Sequence, residues 1–301
     1  MNASSSCADL HVYSRHSDRA ADWVLRRLDF PASASEPRLL YQQLRTAGME
    51  FVTLTDHHSI EGCLEIADLP GVFISEEVTT YFPDDGCKIY ILVYGITEAQ
   101  HRAIHAIREN IHDLRAYLDS EGIAHAVAHP LVSINDKLEI HHVQRLALLF
   151  RHFEAINGLR HRIYSQTIAH VLGSLTPERI DEYANATGLT PTHPEPWRKV
   201  FVGGSDDHGG LFPGRAYTET PKAGRRRNMS ITYGGGTAPR AARAGRPFPL
   251  RIRFTAWPSM WRGIGWRAEA EGRPISWNAA SRVSWRDGIR LSSLLARKWD
   301  F

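Results

Sequence analysis

The residues of this chain best suited to chemistry lie in Gly203-Gly204-Ser205-Asp206-Asp207-His208-Gly209, directly after the apolar run Val200-Phe201-Val202. That run predicts a buried strand, so Asp206 and His208 emerge where the strand passes into a glycine-rich turn. A carboxylate and an imidazole two residues apart suit a divalent metal, and the flanking glycines let the backbone come close. A Ser-Asp-Asp turn that caps the next segment accounts for the same residues. Other strand ends answer this one. Cys7 to Tyr13 predicts a strand on which Asp9, His11 and Tyr13 share a face through the two-residue period. Phe51 to Leu54 runs into Thr55-Asp56-His57-His58, and Val72 to Ile74 leads to Ser75-Glu76-Glu77. Cys87 to Val93, containing Tyr90, is a further strand, and Ile123 to Ala128 ends at His129-Pro130, where the proline stops the ladder. Phe153 to Gly158 is another short strand ending in polar groups.

Helical periodicity fills the gaps: Arg19 to Leu28, Arg38 to Ala47, Glu61 to Leu69, Glu98 to Leu118, His141 to Leu149, Arg160 to Leu172 and Pro177 to Thr187. Position alone makes Asp18, after Ser17, an N-cap of the first of these. A strand with polar residues at its C-terminal end, then a helix, recurring roughly seven times, predicts an α/β fold of the (β/α) barrel type with its site on the C-terminal rim. His101 and His105 have the four-residue spacing of a helical metal pair. Their face of the Glu98 to Leu118 helix is otherwise Arg and Glu, and reads as solvated surface. His125, inside its strand, reads as a satisfied core histidine.

Composition divides the chain of 301 residues in two. Residues 1 to 220 hold 19 Lys and Arg against 29 Asp and Glu, while residues 221 to 301 hold 17 against 4. All 16 histidines precede residue 209, and six of the eight tryptophans follow residue 256. Metal-type chemistry therefore belongs to residues 1 to 222. Residues 223 to 301, opening with Arg225-Arg226-Arg227 and rich in Arg, Trp and Gly, form an irregular basic tail without clear periodicity. Arginines on phosphates and tryptophans stacked on bases would make that tail a nucleic-acid arm. Its irregular pattern equally fits a segment not shaped to fold with the rest, such as a frame-shifted product. Cys7, Cys63 and Cys87 are too few and too widely spaced for a disulfide framework, and read as buried small hydrophobes in a reducing, cytoplasmic compartment. No run approaches the length of a membrane span.

Taken in order, Asp9-Leu10-His11-Val12-Tyr13, Ser17-Asp18, Thr55-Asp56-His57, Glu77, Tyr90, His129-Pro130 and Gly204-Ser205-Asp206-Asp207-His208-Gly209 resemble the motifs of the PHP (polymerase and histidinol phosphatase) superfamily. The resemblance spans residues 9 to 220. It implies a distorted (β/α)7 TIM-like barrel holding up to three divalent ions, Zn, Mn or Fe, that hydrolyse phosphate esters through a metal-activated water. It implies His11, Glu77 and Asp206 for one ion, Asp18, His57 and His208 for a second, and Glu77 bridging to a third beside His129. His57, Asp206 and His208 would be central to catalysis, and Arg215 would hold a substrate phosphate. A small phosphorylated metabolite or nucleotide is the implied substrate. The chain departs from the pattern at Tyr13 and Tyr90, where the family has histidines. A phenol with a pKa near ~10 is a poor ligand for Zn or Mn at neutral pH, which also admits an impaired module with a binding or regulatory role and fewer than three ions.

Overall fold

The computed structural model describes residues 5–17, 33, 35–221 and 251–254. The helix expected at Arg19 to Leu28, Asp18, and the tail apart from 251–254 lie outside the described residues. The fold is mixed α/β. Five strands, β2 (Ser75–Tyr81), β3 (Lys88–Tyr94), β4 (Ala124–Val127), β5 (His152–Asn157) and β6 (Val200–Gly204), form one sheet in that order. A second sheet has the order β1 (Ser5–Ala8), β7 (Ala216–Pro221), β8 (Arg251–Phe254), all antiparallel. The tail thus contributes one edge strand, where the sequence pattern predicts none. Helices α1 (Pro37–Thr46), α2 (Glu61–Leu64), α3 (Glu98–Ile107), α4 (Ile111–Ser120), α5 (Ile140–Leu149), α6 (Arg162–Gly173) and α7 (Pro177–Thr187) fill the intervals.

The uniform strand–helix repeat is corrected at two places. β2 and β3 are an antiparallel hairpin, and β4 is antiparallel to β3, so only β4, β5 and β6 run parallel. The reason is local. Pro83-Asp84-Asp85-Gly86 makes a tight turn in which Gly86 takes φ 72° and Asp85 Oδ1 accepts from the Cys87 amide at 2.8 Å. The long helix expected from Glu98 to Leu118 is two helices, because Asn110 leaves helical geometry and its side chain accepts from the His112 amide at 2.9 Å, capping α4. α3 opens on a capping box of Thr97 and Gln100. Of the apolar stripe that helical spacing predicts, Ile104, Ile107, Ile111, Leu114 and Leu118, all but the half-buried Ile107 are buried, packed with Phe82, Ile91, Phe150 and Phe153.

The strands do not form a closed barrel of continuous ladders. Two extended segments, 9–13 and 52–57, stand between β6 and β2 and are joined to them by single parallel bridges, Val12 to Asp207, Val52 to Val72 and His57 to Glu77. Backbone bonds complete the links: the Asp206 amide donates to His11 O at 2.7 Å, Thr55 to Val12 O at 2.7 Å and Glu77 to Asp56 O at 3.1 Å. These isolated bridges bring His11, His57, Glu77 and Asp206 side by side. Cys7, Cys63 and Cys87 are buried and form no disulfide among the described residues. Among the described residues, no helix is long and apolar enough to cross a membrane.

Candidate metal centre

His11, the residue around which the polar groups gather, is fully buried and held from both ring nitrogens. Its Nδ1 bonds Glu154 Oε1 at 2.8 Å and its Nε2 meets the Tyr13 hydroxyl at 2.7 Å. Tyr13 has one proton, and it donates this to Glu77 Oε2 at 2.5 Å. The phenol oxygen therefore accepts from His11 Nε2, and a Glu154 carboxylate that accepts from Nδ1 would make both imidazole nitrogens donors. Electrostatics agree. Burial opposes the charge, but Glu154, Asp206 and Glu77 raise the His11 pKa well above the ordinary imidazole value. Burial likewise opposes ionisation of Glu77 and Asp206, yet His57 and His11 hold Glu77 well below the carboxylate range, and His11, His129 and Arg160 hold Asp206 below it. Burial, reinforced by Glu77 and Asp206, pushes the Tyr13 phenol well above its usual value, so Tyr13 is a neutral donor.

The other histidines surround this core. His57 Nδ1 lies 2.8 Å from Glu77 Oε2, and His129 Nε2 lies 3.6 Å from Glu77 Oε1. The His208 ring packs 4.0 Å from Tyr13, with Nδ1 donating to Asp206 O at 2.9 Å. Tyr90 lies among them, 5.0 Å from the His57 ring and 5.6 Å from that of His129. Asp206 Oδ1 and Glu77 Oε1 are buried without a hydrogen-bond partner, while His11, His129 and Asp206 can each aim a ligand atom within 4.8 Å of the others. Buried carboxylate oxygens that face imidazoles without a hydrogen bond are what a cation site requires, and these residues fit divalent metal. Two members hold left-handed backbone, Asp206 at φ 55° and His129 at φ 24°. Such strain persists where surrounding structure imposes it, and it concentrates at working sites.

Of the residues singled out in the sequence, the fold brings together His11, His57, Glu77, His129, Asp206 and His208, with Tyr13 and Tyr90 among them. Asp18 lies outside the described residues. Arg215 is exposed, its guanidinium 5.5 Å above the Phe212 ring. The alternative turn-cap role belongs to Asp207, which accepts from the amides of Gly210 at 2.6 Å and Phe212 at 3.0 Å. Asp9 is scaffold: it accepts from the Ser205 and Gly214 amides at 2.8 and 2.7 Å, and burial pushes its pKa up to about 7.

Sequence reasoning missed Glu154, Asn157 and Arg160. Glu154 Oε2 accepts from the His129 amide at 2.8 Å and from Asn157 Nδ2 at 2.9 Å, and Asn157 Nδ2 also reaches Asp206 Oδ2 at 3.0 Å. Arg160 Nε stands 3.4 Å from that same oxygen. The one signal was the polar end of the strand Phe153 to Gly158. The reading of His101 and His105 as solvated surface is corrected, because both rings meet the buried Glu76, at 3.0 and 3.1 Å.

Gly204 shows how tightly the centre is built. A Cβ there would stand 2.7 Å from His11 N and 3.0 Å from its Cα, and backbone cannot retreat as a side chain can. Gly204→Ala is expected to destabilise the fold by at least the ~1–3 kcal/mol of core overpacking. A denaturant melt beside Gly173→Ala, at a position open within 4 Å, checks this.

No protein-family model matches the chain. A stretch of 71 residues is 37% identical to an uncharacterised protein of Methanocaldococcus jannaschii, covering 24% of this chain and 40% of that protein. Among solved structures, the chain is similar to a protein of Bifidobacterium adolescentis proposed to be a metal-dependent phosphoesterase, at 14% identity over 67% of this chain and 88% of that one, with a TM-score of 0.41. It is also similar to an amidohydrolase from Chromobacterium violaceum with bound sulfate and no metal, at 14% identity, 67% and 87% coverage and a TM-score of 0.43. A third is PfuEndoQ, a lesion-specific endonuclease from Pyrococcus furiosus, at 13% identity and a TM-score of 0.42, covering 71% of this chain but 52% of that one. The meeting of the ordered sequence motifs in one buried centre is consistent with a PHP-like domain.

Proposed function

We propose that this chain is a metal-dependent hydrolase of phosphate esters of PHP type, acting on a small phosphorylated metabolite or a nucleotide. The observation that carries this reading is the pair of buried oxygens without a hydrogen bond, Glu77 Oε1 and Asp206 Oδ1, set among four histidines. His11, His57, Glu77, His129, Asp206 and His208 would hold the ions, with Asp18 completing the set. When bound, divalent Zn, Mn or Fe lowers the pKa of a water and neutralises phosphoryl oxygens. The chain's own residues supply the rest. Glu154 fixes the His11 ring and the His129 amide together. His208, about a third exposed, has Nδ1 committed to the Asp206 carbonyl, which leaves Nε2 as its ligating nitrogen. Arg160, a third exposed beside Asp206, is better placed than Arg215 to meet a substrate phosphate. We read segments 9–13 and 52–57 with β2 to β6 as a distorted seven-segment barrel, closed by the isolated bridges.

Hydrolysis of an aryl phosphate or a nucleoside monophosphate is expected to require added Mn²⁺ or Zn²⁺ and to stop with a chelator. Turnover unaffected by exhaustive chelation would overturn the assignment. A second reading, an impaired module with a binding or regulatory role, is favoured by the Tyr13 hydroxyl, which occupies the space between His11 and Glu77.

A further inference from the structure

Glu76 and Glu77 are neighbours on β2, so the two-residue period sends them to opposite faces of the sheet. Glu77 enters the buried centre, and Glu76 turns toward α3. There its Oε2 lies 3.0 Å from His101 Nδ1 and 3.1 Å from His105 Nε2. The two imidazoles are one helical turn apart, their centroids separated by 4.2 Å. Glu76 is 0% exposed, yet its Oε1 has no hydrogen-bond partner. His101 Nδ1 is also buried without a hydrogen bond, although it stands at ion-pair distance from the carboxylate. The three residues can aim ligand atoms at one point, within 4.8 Å of one another.

An ion pair alone explains this cluster poorly. A buried carboxylate gains most when both oxygens are satisfied, and an imidazole beside it gains most through an aligned N–H. Here one carboxylate oxygen and one imidazole nitrogen of the cluster make no hydrogen bond. Two imidazoles and one carboxylate form a donor set for Zn²⁺, Co²⁺ or Ni²⁺ rather than for Mg²⁺ or Ca²⁺. The His101 and His105 side chains are 20% and 31% exposed, which leaves room for water to complete the coordination. His58 stands at the edge, its ring 5.7 Å from that of His105 and its Nδ1 buried without a partner.

We propose that Glu76, His101 and His105 form a second transition-metal site, on the opposite face of β2 from the buried centre. An ion there ties α3 to the strand that carries Glu77. It clamps the backbone of the catalytic face without touching the substrate. The assignment does not depend on the phosphoesterase reading, because it uses none of the residues of the buried centre.

The full chain, stripped with chelator and re-equilibrated, is titrated with Zn²⁺ and with Co²⁺, and bound ions are counted by elemental analysis. The double variant His101→Gln, His105→Gln is expected to bind one ion fewer than the parent. Glu76→Gln, which keeps shape and packing, is expected to weaken that ion by more than the roughly 10–100-fold that follows loss of an outer-shell partner, and to hold the fold should the double variant not. In an Asp206→Asn background the one ion should remain and still vanish with His101 and His105. Parent stoichiometry and affinity in Glu76→Gln would overturn the proposal and leave the cluster an ion pair only. Loss of ions solely on Asp206→Asn would overturn it too, while supporting the buried centre.

Discussion

Asp206→Asn is expected to lower metal-dependent phosphoester hydrolysis by more than about 100-fold, since even outer-shell losses around metals cost roughly 10–100-fold. The substitution is nearly isosteric. Asn157 and Arg160 approach Oδ2, at 3.0 and 3.4 Å, whereas Oδ1 is the buried oxygen without a hydrogen bond, facing His11 and His208 at 3.6 Å each. Replacing the anion by an amide therefore removes the charge that a cation needs and leaves the packing in place. The variant should bind fewer ions by elemental analysis, and its metal-free melt should fall by what the Asp206 pairing with His11 and Arg160 contributes to the fold. Asp207→Asn is the contrasting control. Its carboxylate serves the turn through the Gly210 and Phe212 amides, so its loss should cost about 1 kcal/mol of stability, the usual worth of such bonds, and little activity. Equal losses of turnover in the two variants would show that the turn, not the Asp206 charge, is what hydrolysis requires.

Tyr13→His is expected to add a bound ion and to raise turnover by more than about tenfold. The Tyr13 hydroxyl sits between His11 Nε2 and Glu77 Oε2, at 2.7 and 2.5 Å. It holds a proton on His11 at the nitrogen that would ligate metal, and it occupies a carboxylate oxygen that would do the same. Loading an ion then means displacing the phenol and discharging His11, both of which oppose binding. An imidazole at position 13 removes the plug and adds a ligand. Tyr90 contacts His57 and His129 through its ring, so Tyr90→His should add a smaller further gain. Tyr13→Phe separates the two effects, because it removes the proton relay without adding a ligand. An unchanged ion count in Tyr13→His, with the fold intact, would mean that the phenol does not stand in a ligand position. The impaired-module reading would then lose its structural support as well.

The amino-acid sequence by itself determined where polar groups gather at strand ends wherever the signal was local. An apolar run ending in Asp-His-His or Asp-Asp-His can be read without a partner, because strand alternation and turn chemistry act over a few residues. That logic marked the polar strand ends, and it was the resemblance to the PHP motifs that singled out His11, His57, Glu77, His129, Asp206 and His208 on them, with Tyr13 and Tyr90 as departures. The tertiary structure decided everything that depends on contacts between distant segments. Glu154 acts on His11 across 143 positions, and nothing in Phe153-Glu154-Ala155 distinguishes that carboxylate from a surface one. The antiparallel hairpin of β2 and β3 rests on the Pro-Asp-Asp-Gly turn, which a strand-counting argument passed over. His101 and His105 looked solvated because their own helix face is charged. Their partner, Glu76, is brought from another element 25 and 29 residues away by the alternation of β2. Periodicity reports which face of an element is apolar, but it does not report what the polar face meets. That is set by how sheet and helix pack, and it is where the charge of His11, the plug at Tyr13 and the cluster around Glu76 arise.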